Sequence, residues 1–157
     1  MKKIAIFVDV QNIYYTSRDK FNRPFNYRLF WQYCAEKYDI AFAYAYAIDK
    51  GNEQQQKFQS ALRHIGFTVK LKPFIQRADG SAKGDWDVGI TIDVLNTAAL
   101  VDEVMLLSGD GDFAILLDEV KNKHECRTTV FGVRELSANS LINSADAFFE
   151  IDERWLL

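Results

Sequence analysis

The chain has 157 residues, 19 Lys and Arg against 22 Asp and Glu, and a formal net charge of −3. That length suits one domain, read as 1–157, and so mild a charge names no partner by itself. Twelve Phe, seven Tyr and three Trp supply a core, while two Pro and eight Gly argue against disorder or a long linker.

Ile4–Val8 is a short apolar run ended by Asp9 and reads as the first strand. Tyr27 to Tyr38 carries Leu29, Phe30, Tyr33, Cys34 and Tyr38 at helical spacing. Ile40–Ile48 nearly alternates and reads as a second strand. Glu53 to Ile65 places Phe58, Ala61, Leu62 and Ile65 on one helical face and stops at Gly66. Phe67–Leu71 is a third strand. Residues 73–84 are irregular and suggest a flexible flap. Asp85 to Leu100 is apolar almost all round, which predicts a central, well-buried helix. Val104–Leu107 is a fourth strand, Asp112 to Lys121 a helix, Thr128–Phe131 a fifth strand, Ser137–Asn143 a short helix and Ala147–Ile151 a last edge segment.

Strands alternating with helices predict an α/β fold with a parallel, doubly wound sheet. Ligands of such sheets bind at the carboxyl ends of the strands, where the strand order reverses. Asp9 follows its strand directly and could also cap the next segment. Ser108-Gly109-Asp110-Gly111-Asp112 follows the fourth strand, and its glycines would let the chain turn sharply. Asp110 or Asp112 could cap the helix that follows, but capping does not account for both. Asp85 and Asp87 open the central helix, one as its N-cap. Asp93, six residues beyond Asp87, lies about 120° away round the helix and needs a partner of its own.

Carboxylates gathered in one cleft repel, and some take up protons unless a cation neutralises them. Oxygen ligands without histidine favour Mg²⁺ or Mn²⁺ over zinc. His64 and His124 look unrelated to the cluster. Residues 63–83 carry Arg63, Lys70, Lys72, Arg77 and Lys83 against Asp79 alone. Residues 18–28 carry Arg18, Lys20, Arg23 and Arg28 against Asp19, with Phe21, Phe25 and Tyr27 interleaved. Basic and aromatic side chains beside an acidic pocket suit a polyanion, with Lys72 and Arg77 among the candidate contacts. Neither G-x-G-x-x-G nor a Walker lysine loop is present, which weakens a nucleotide-phosphate cradle. Cys34 and Cys126 are far apart in apolar surroundings and read as buried thiols rather than a zinc pair. No signal segment is visible, and no run approaches the ~20 apolar residues of a membrane span. These features read as a cytoplasmic protein.

The ordered set IAIFVDVQNIYY, KGDWDVGITIDVL, VMLLSGDGDFAILLDEVKNK and SANSLINSADAFFEID resembles the NYN domain, in the LabA-like branch of the PIN-like nuclease superfamily. The resemblance runs from about residue 3 to residue 152. It implies a PIN-like, Rossmann-like three-layer sandwich and Mg²⁺- or Mn²⁺-dependent cleavage of RNA. Asp9, Asp87, Asp110 and Asp112 match the family's acidic cluster. Asn12, Ser108 and Lys83 match positions that shape the site or meet substrate, and Asp93 matches a second aspartate on the central helix. The family commonly has an apolar residue where Asp85 stands. The rival readings are a non-catalytic RNA- or protein-binding regulator and a small nucleotide phosphohydrolase.

Overall fold

The computed structural model describes residues 1–73, 75–76, 82–83 and 85–157. In chain order the elements are β1 (Lys3–Asp9), α1 (Val10–Phe21), α2 (Tyr27–Lys37), β2 (Asp39–Asp49), α3 (Glu53–Ile65) and β3 (Thr68–Pro73). A short antiparallel pair follows, β4 (Ile75–Gln76) and β5 (Ala82–Lys83). Then come α4 (Asp87–Ala98), β6 (Glu103–Leu107), α5 (Ala114–Lys123), β7 (Arg127–Gly132), α6 (Asn139–Ser144) and β8 (Ala147–Glu150). The flap expected over 73–84 lies largely outside the described residues.

Six strands form one parallel sheet in the order β3-β2-β1-β6-β7-β8. From β1 the chain builds outward to β2 and β3, then returns to the other side of β1 with β6 and builds outward again. The strand order therefore reverses between β1 and β6, which opens a crevice at their carboxyl ends. This is the α/β, PIN-like architecture that the sequence predicts.

Side chains alternate across a strand, so β1 feeds two cores. Ile4, Ile6 and Val8 join Ile13, Phe30, Cys34 and Leu62 on the α1–α3 face. Ala5 and Phe7 join Ile90, Val94, Leu106 and Leu117 on the α4–α5 face. All five of these β1 residues are fully buried. The same alternation sends Asp9 toward the α4 face, where the central helix begins.

Three expectations change. Helix α1 is absent from the periodic reading because its inward positions are Val10, Ile13 and Ser17, and the small polar Ser17 breaks the apolar stripe. Helix α4 is not buried all round: Val88 and Ile92 are 70% and 53% exposed, while Ile90, Val94, Thr97 and Ala98 face inward. Phe25 and Tyr27, which interleave with basic residues in the sequence, are core residues packed edge to face against each other. Among the described residues no helix is long and apolar enough to cross a membrane.

Candidate metal centre at the carboxyl edge

Asp9 ends β1 and is also the N-cap of α1. Its Oδ1 accepts the Asn12 amide at 3.4 Å, and its Oδ2 accepts the Ser108 hydroxyl at 3.2 Å. Both carboxylate oxygens are thus oriented by the protein, one by a helix start and one by the end of β6. Ser108 is fully buried, and its Oγ also accepts the Asp110 amide at 3.1 Å. Asn12 closes the ring, with its Oδ1 accepting the Gly109 amide at 2.8 Å. The start of α1 and the turn after β6 are therefore tied together by side chains from both.

The glycines of that turn serve close packing rather than an unusual backbone angle. Neither Gly109 nor Gly111 has a positive φ. A Cβ on Gly109 would stand 2.8 Å from Ser137 Oγ and 3.0 Å from the Leu136 carbonyl; one on Gly111 would stand 2.8 Å from Ala138 Cβ. Both glycines let the segment before α6 press against the turn that carries Asp110.

Asp87 enters from the first turn of α4. The N-cap of that helix is Trp86, which makes no side-chain cap; Asp85 Oδ1 accepts the Asp87 amide at 3.3 Å instead. The turn is latched to the sheet through Trp86. Its indole N–H donates to the Ala47 carbonyl at 2.8 Å, and its ring lies 5.3 Å from that of Tyr46. Lys72 lies over the same indole at 4.6 Å and donates to the Asp85 carbonyl at 3.0 Å. Gly89 leaves room for this indole, because a Cβ there would meet it at 2.5 Å.

One carboxylate oxygen from each of Asp9, Asp87 and Asp110 lies within 4.8 Å of one from each of the other two. All three residues are half-buried. Burial pushes the Asp9 carboxyl up to about 6, opposed by the Asn12 amide and the Ser108 hydroxyl and helped by Asp110 and Asp85. Asp87 rises to about 7, first by burial, then through its hydrogen bond to Asp110 and the charges of Asp110, Asp85 and Asp9. Among the described residues no Lys or Arg pairs with any of the three.

The other expected site residues fall elsewhere. Asp112 lies outside this group. It is exposed, and its amide donates to Asp110 Oδ1 at 2.9 Å, so Asp110 caps the 3₁₀ turn that holds Asp112. Asp85 is exposed beside the cluster. Asp93 has the partners its position demands: it accepts the Tyr46 hydroxyl at 2.7 Å and the Lys70 ammonium at 2.6 Å. Lys83 is described by its backbone alone, in β5 opposite Ile75, and Arg77 lies outside the described residues. Trp86 and Tyr46 are the positioning residues that sequence reasoning missed; the only available signal was an aromatic set between Asp85 and Asp87.

The NYN domain family model matches residues 3–152. This chain belongs to the NYN domain family. It is 31% identical over 159 aligned residues to the low amplitude and bright protein LabA of Synechococcus elongatus, covering 96% of this chain and 84% of that protein. A solved structure of a protein of unknown function from Vibrio parahaemolyticus superposes with a TM-score of 0.95 at 48% identity, covering 99% of this chain and 96% of that one. NYN domains are a PIN-like, nuclease-type and nucleic-acid-related family, and the acidic group of this one sits at the carboxyl edge of the NYN sheet.

The donor set fits a hard divalent cation. Oxygens that share an octahedral ion at about 2.1 Å lie about 3 to 4 Å apart, so a small inward movement brings the three carboxylates into range. An all-carboxylate set without histidine or thiolate is suited to such an ion. The two raised carboxyls have the affinity for positive charge that a cation would satisfy in place of protons.

Proposed function

We propose that this NYN domain cleaves RNA phosphodiesters with Mg²⁺ or Mn²⁺ held by Asp9, Asp87 and Asp110. The observation that carries this reading is the half-buried carboxylate trio with no cation of its own among the described residues. A divalent ion there would supply Lewis-acid charge for a phosphate oxygen and a nucleophilic water at neutral pH. Ser108 and Asn12 hold Asp9 and Asp110 in register, so the ligands need little rearrangement. Asp112, exposed at the rim, is assigned to the approach of water. Lys83 and Arg77 are assigned to the phosphate backbone, so binding should weaken as salt rises. Lys72 acts through its hold on the Asp85–Trp86 turn.

The test is cleavage of a single-stranded RNA with Mn²⁺ by wild type, Asp9→Asn and Asp110→Asn. We expect loss in both variants, and equal residual activity in all three proteins would refute the site. Oligonucleotide against mononucleotide substrates separates a nuclease from a nucleotide phosphohydrolase. Unshifted thermal unfolding in millimolar Mn²⁺ would favour a non-catalytic regulator instead.

A further inference from the structure

We propose that Tyr14, Tyr15 and Arg18 on α1 form a stacking platform for the bases of a single-stranded nucleic acid entering the carboxyl-edge crevice. This rests on the reading that the crevice takes a nucleic-acid phosphate. Tyr14 and Tyr15 keep 53% and 41% of their surface exposed, and their rings meet edge to face at 5.4 Å. The Arg18 guanidinium lies 5.3 Å from the Tyr14 ring centre and 5.1 Å from that of Tyr15. Among the described residues no carboxylate forms an ion pair with Arg18. The cation is thus held by ring faces, and its charge is left for an anion from outside.

Position selects the occupant. The helix that carries the platform begins on Asp9 and Asn12, which belong to the acidic site itself. Tyr15 is six residues beyond Asp9, about 9 Å along the helix axis. A strand whose phosphate sits among the carboxylates can therefore extend its next bases along α1. The carboxylates themselves offer a base only negative charge, and the Trp86 indole is already engaged by Ala47, Tyr46 and Lys72, so affinity for the rest of the strand has to come from the borders of the site. Aromatic faces with an arginine supply it in a sequence-tolerant way, because every base has a π-face. A duplex, with its bases already stacked on one another, gains nothing from such a platform.

The experiment measures fluorescence anisotropy of a labelled single-stranded oligoribonucleotide and of its abasic counterpart, with Ca²⁺ replacing Mn²⁺ to prevent cleavage. Wild type is compared with the double variant Tyr14→Ala/Tyr15→Ala and with Tyr14→Phe/Tyr15→Phe. The alanine pair should weaken binding of the base-bearing strand about tenfold, leave the abasic strand unchanged and leave the thermal midpoint in place. The phenylalanine pair should bind like wild type. Equal loss on both strands, no loss on either, or a wild type that binds no single strand would overturn the platform. So would an alanine variant that changes only from dimer to monomer in sedimentation, since the tyrosines would then join two copies. A wild type that binds through the tyrosines but never cuts would retain the platform and refute the nuclease reading. Cleavage that is lost in Asp110→Asn but indifferent to the tyrosines would do the reverse.

Discussion

Carboxylates at the carboxyl edge of the sheet and those elsewhere in the molecule are treated in opposite ways. Glu103, buried at the start of β6, accepts the Thr129 hydroxyl at 2.9 Å and has the Arg127 guanidinium at 3.7 Å. Asp93, on the same helix as Asp87, has Lys70 and Tyr46. In the crevice, Asp9, Asp87 and Asp110 face one another instead. A buried acid with its own cation is a finished structural element. A group of acids without one is an arrangement whose repulsion is relieved by protons or by an ion from solution, and the contrast separates an ion-paired aspartate from one grouped with other acids within a single helix.

The largest expected break in this contrast is Asp110→Asn. Changes to residues that merely support metal ligands cost about 10- to 100-fold, so loss of a ligand should lower Mn²⁺-dependent cleavage by about 100-fold or more. Steady-state cleavage of a single-stranded RNA measures it. Next, Mn²⁺ at a hundred times its dissociation constant should stabilise the wild type by about 2.7 kcal/mol. EDTA should reverse the gain in a thermal melt, and Asp110→Asn should not show it. Asp93→Asn should do the converse. It leaves Lys70 without its carboxylate and should cost about 2 kcal/mol in urea unfolding, while the Mn²⁺ increment persists. A variant at Asp93 that abolished the metal increment would dissolve the distinction between the two aspartates.

The finest expected effect is on pH dependence. Asp9 and Asp87 have folded-state values of about 6 and about 7, above the ordinary 3.8. The folded protein therefore holds protons that the unfolded chain has already released. The stability these groups contribute is full below about pH 4 and is lost as pH rises through 6 and 7. Metal-free wild type should lose melting temperature across that window, and Asp87→Asn should flatten the slope. The Mn²⁺ increment should grow over the same window, because the ion displaces the protons.

Much of this was legible in the sequence, for identifiable reasons. Asp9 and the Ser108–Asp110 turn follow apolar runs directly, and a parallel sheet brings such strand ends together. The angle between Asp87 and Asp93 follows from helical geometry alone. Other features depend on contacts that spacing cannot show. Asp112 is two residues from Asp110, but Asp110 is the extended cap of the 3₁₀ turn that holds Asp112, and the Asp112 residue is exposed to solvent. The open face of α4 was hidden because Val88 and Ile92 are apolar yet exposed. Phe25 and Tyr27, which interleave with basic residues in the sequence, are buried, while Tyr14 and Tyr15 of α1 stay exposed.

The three ligand candidates come from residues 9, 87 and 110, and the pairing of β1 with β6 joins positions about a hundred residues apart. No short segment of the chain can hold the ion by itself. Closing a loop of that length is a global event, so ion release should follow opening of the β1–β6 seam rather than fraying of the ends. Bound Mn²⁺ should therefore slow hydrogen exchange most at the amides of Val8, Ser108 and their neighbours in the central strands, making the ion a reporter of how firmly the two halves of the sheet are joined.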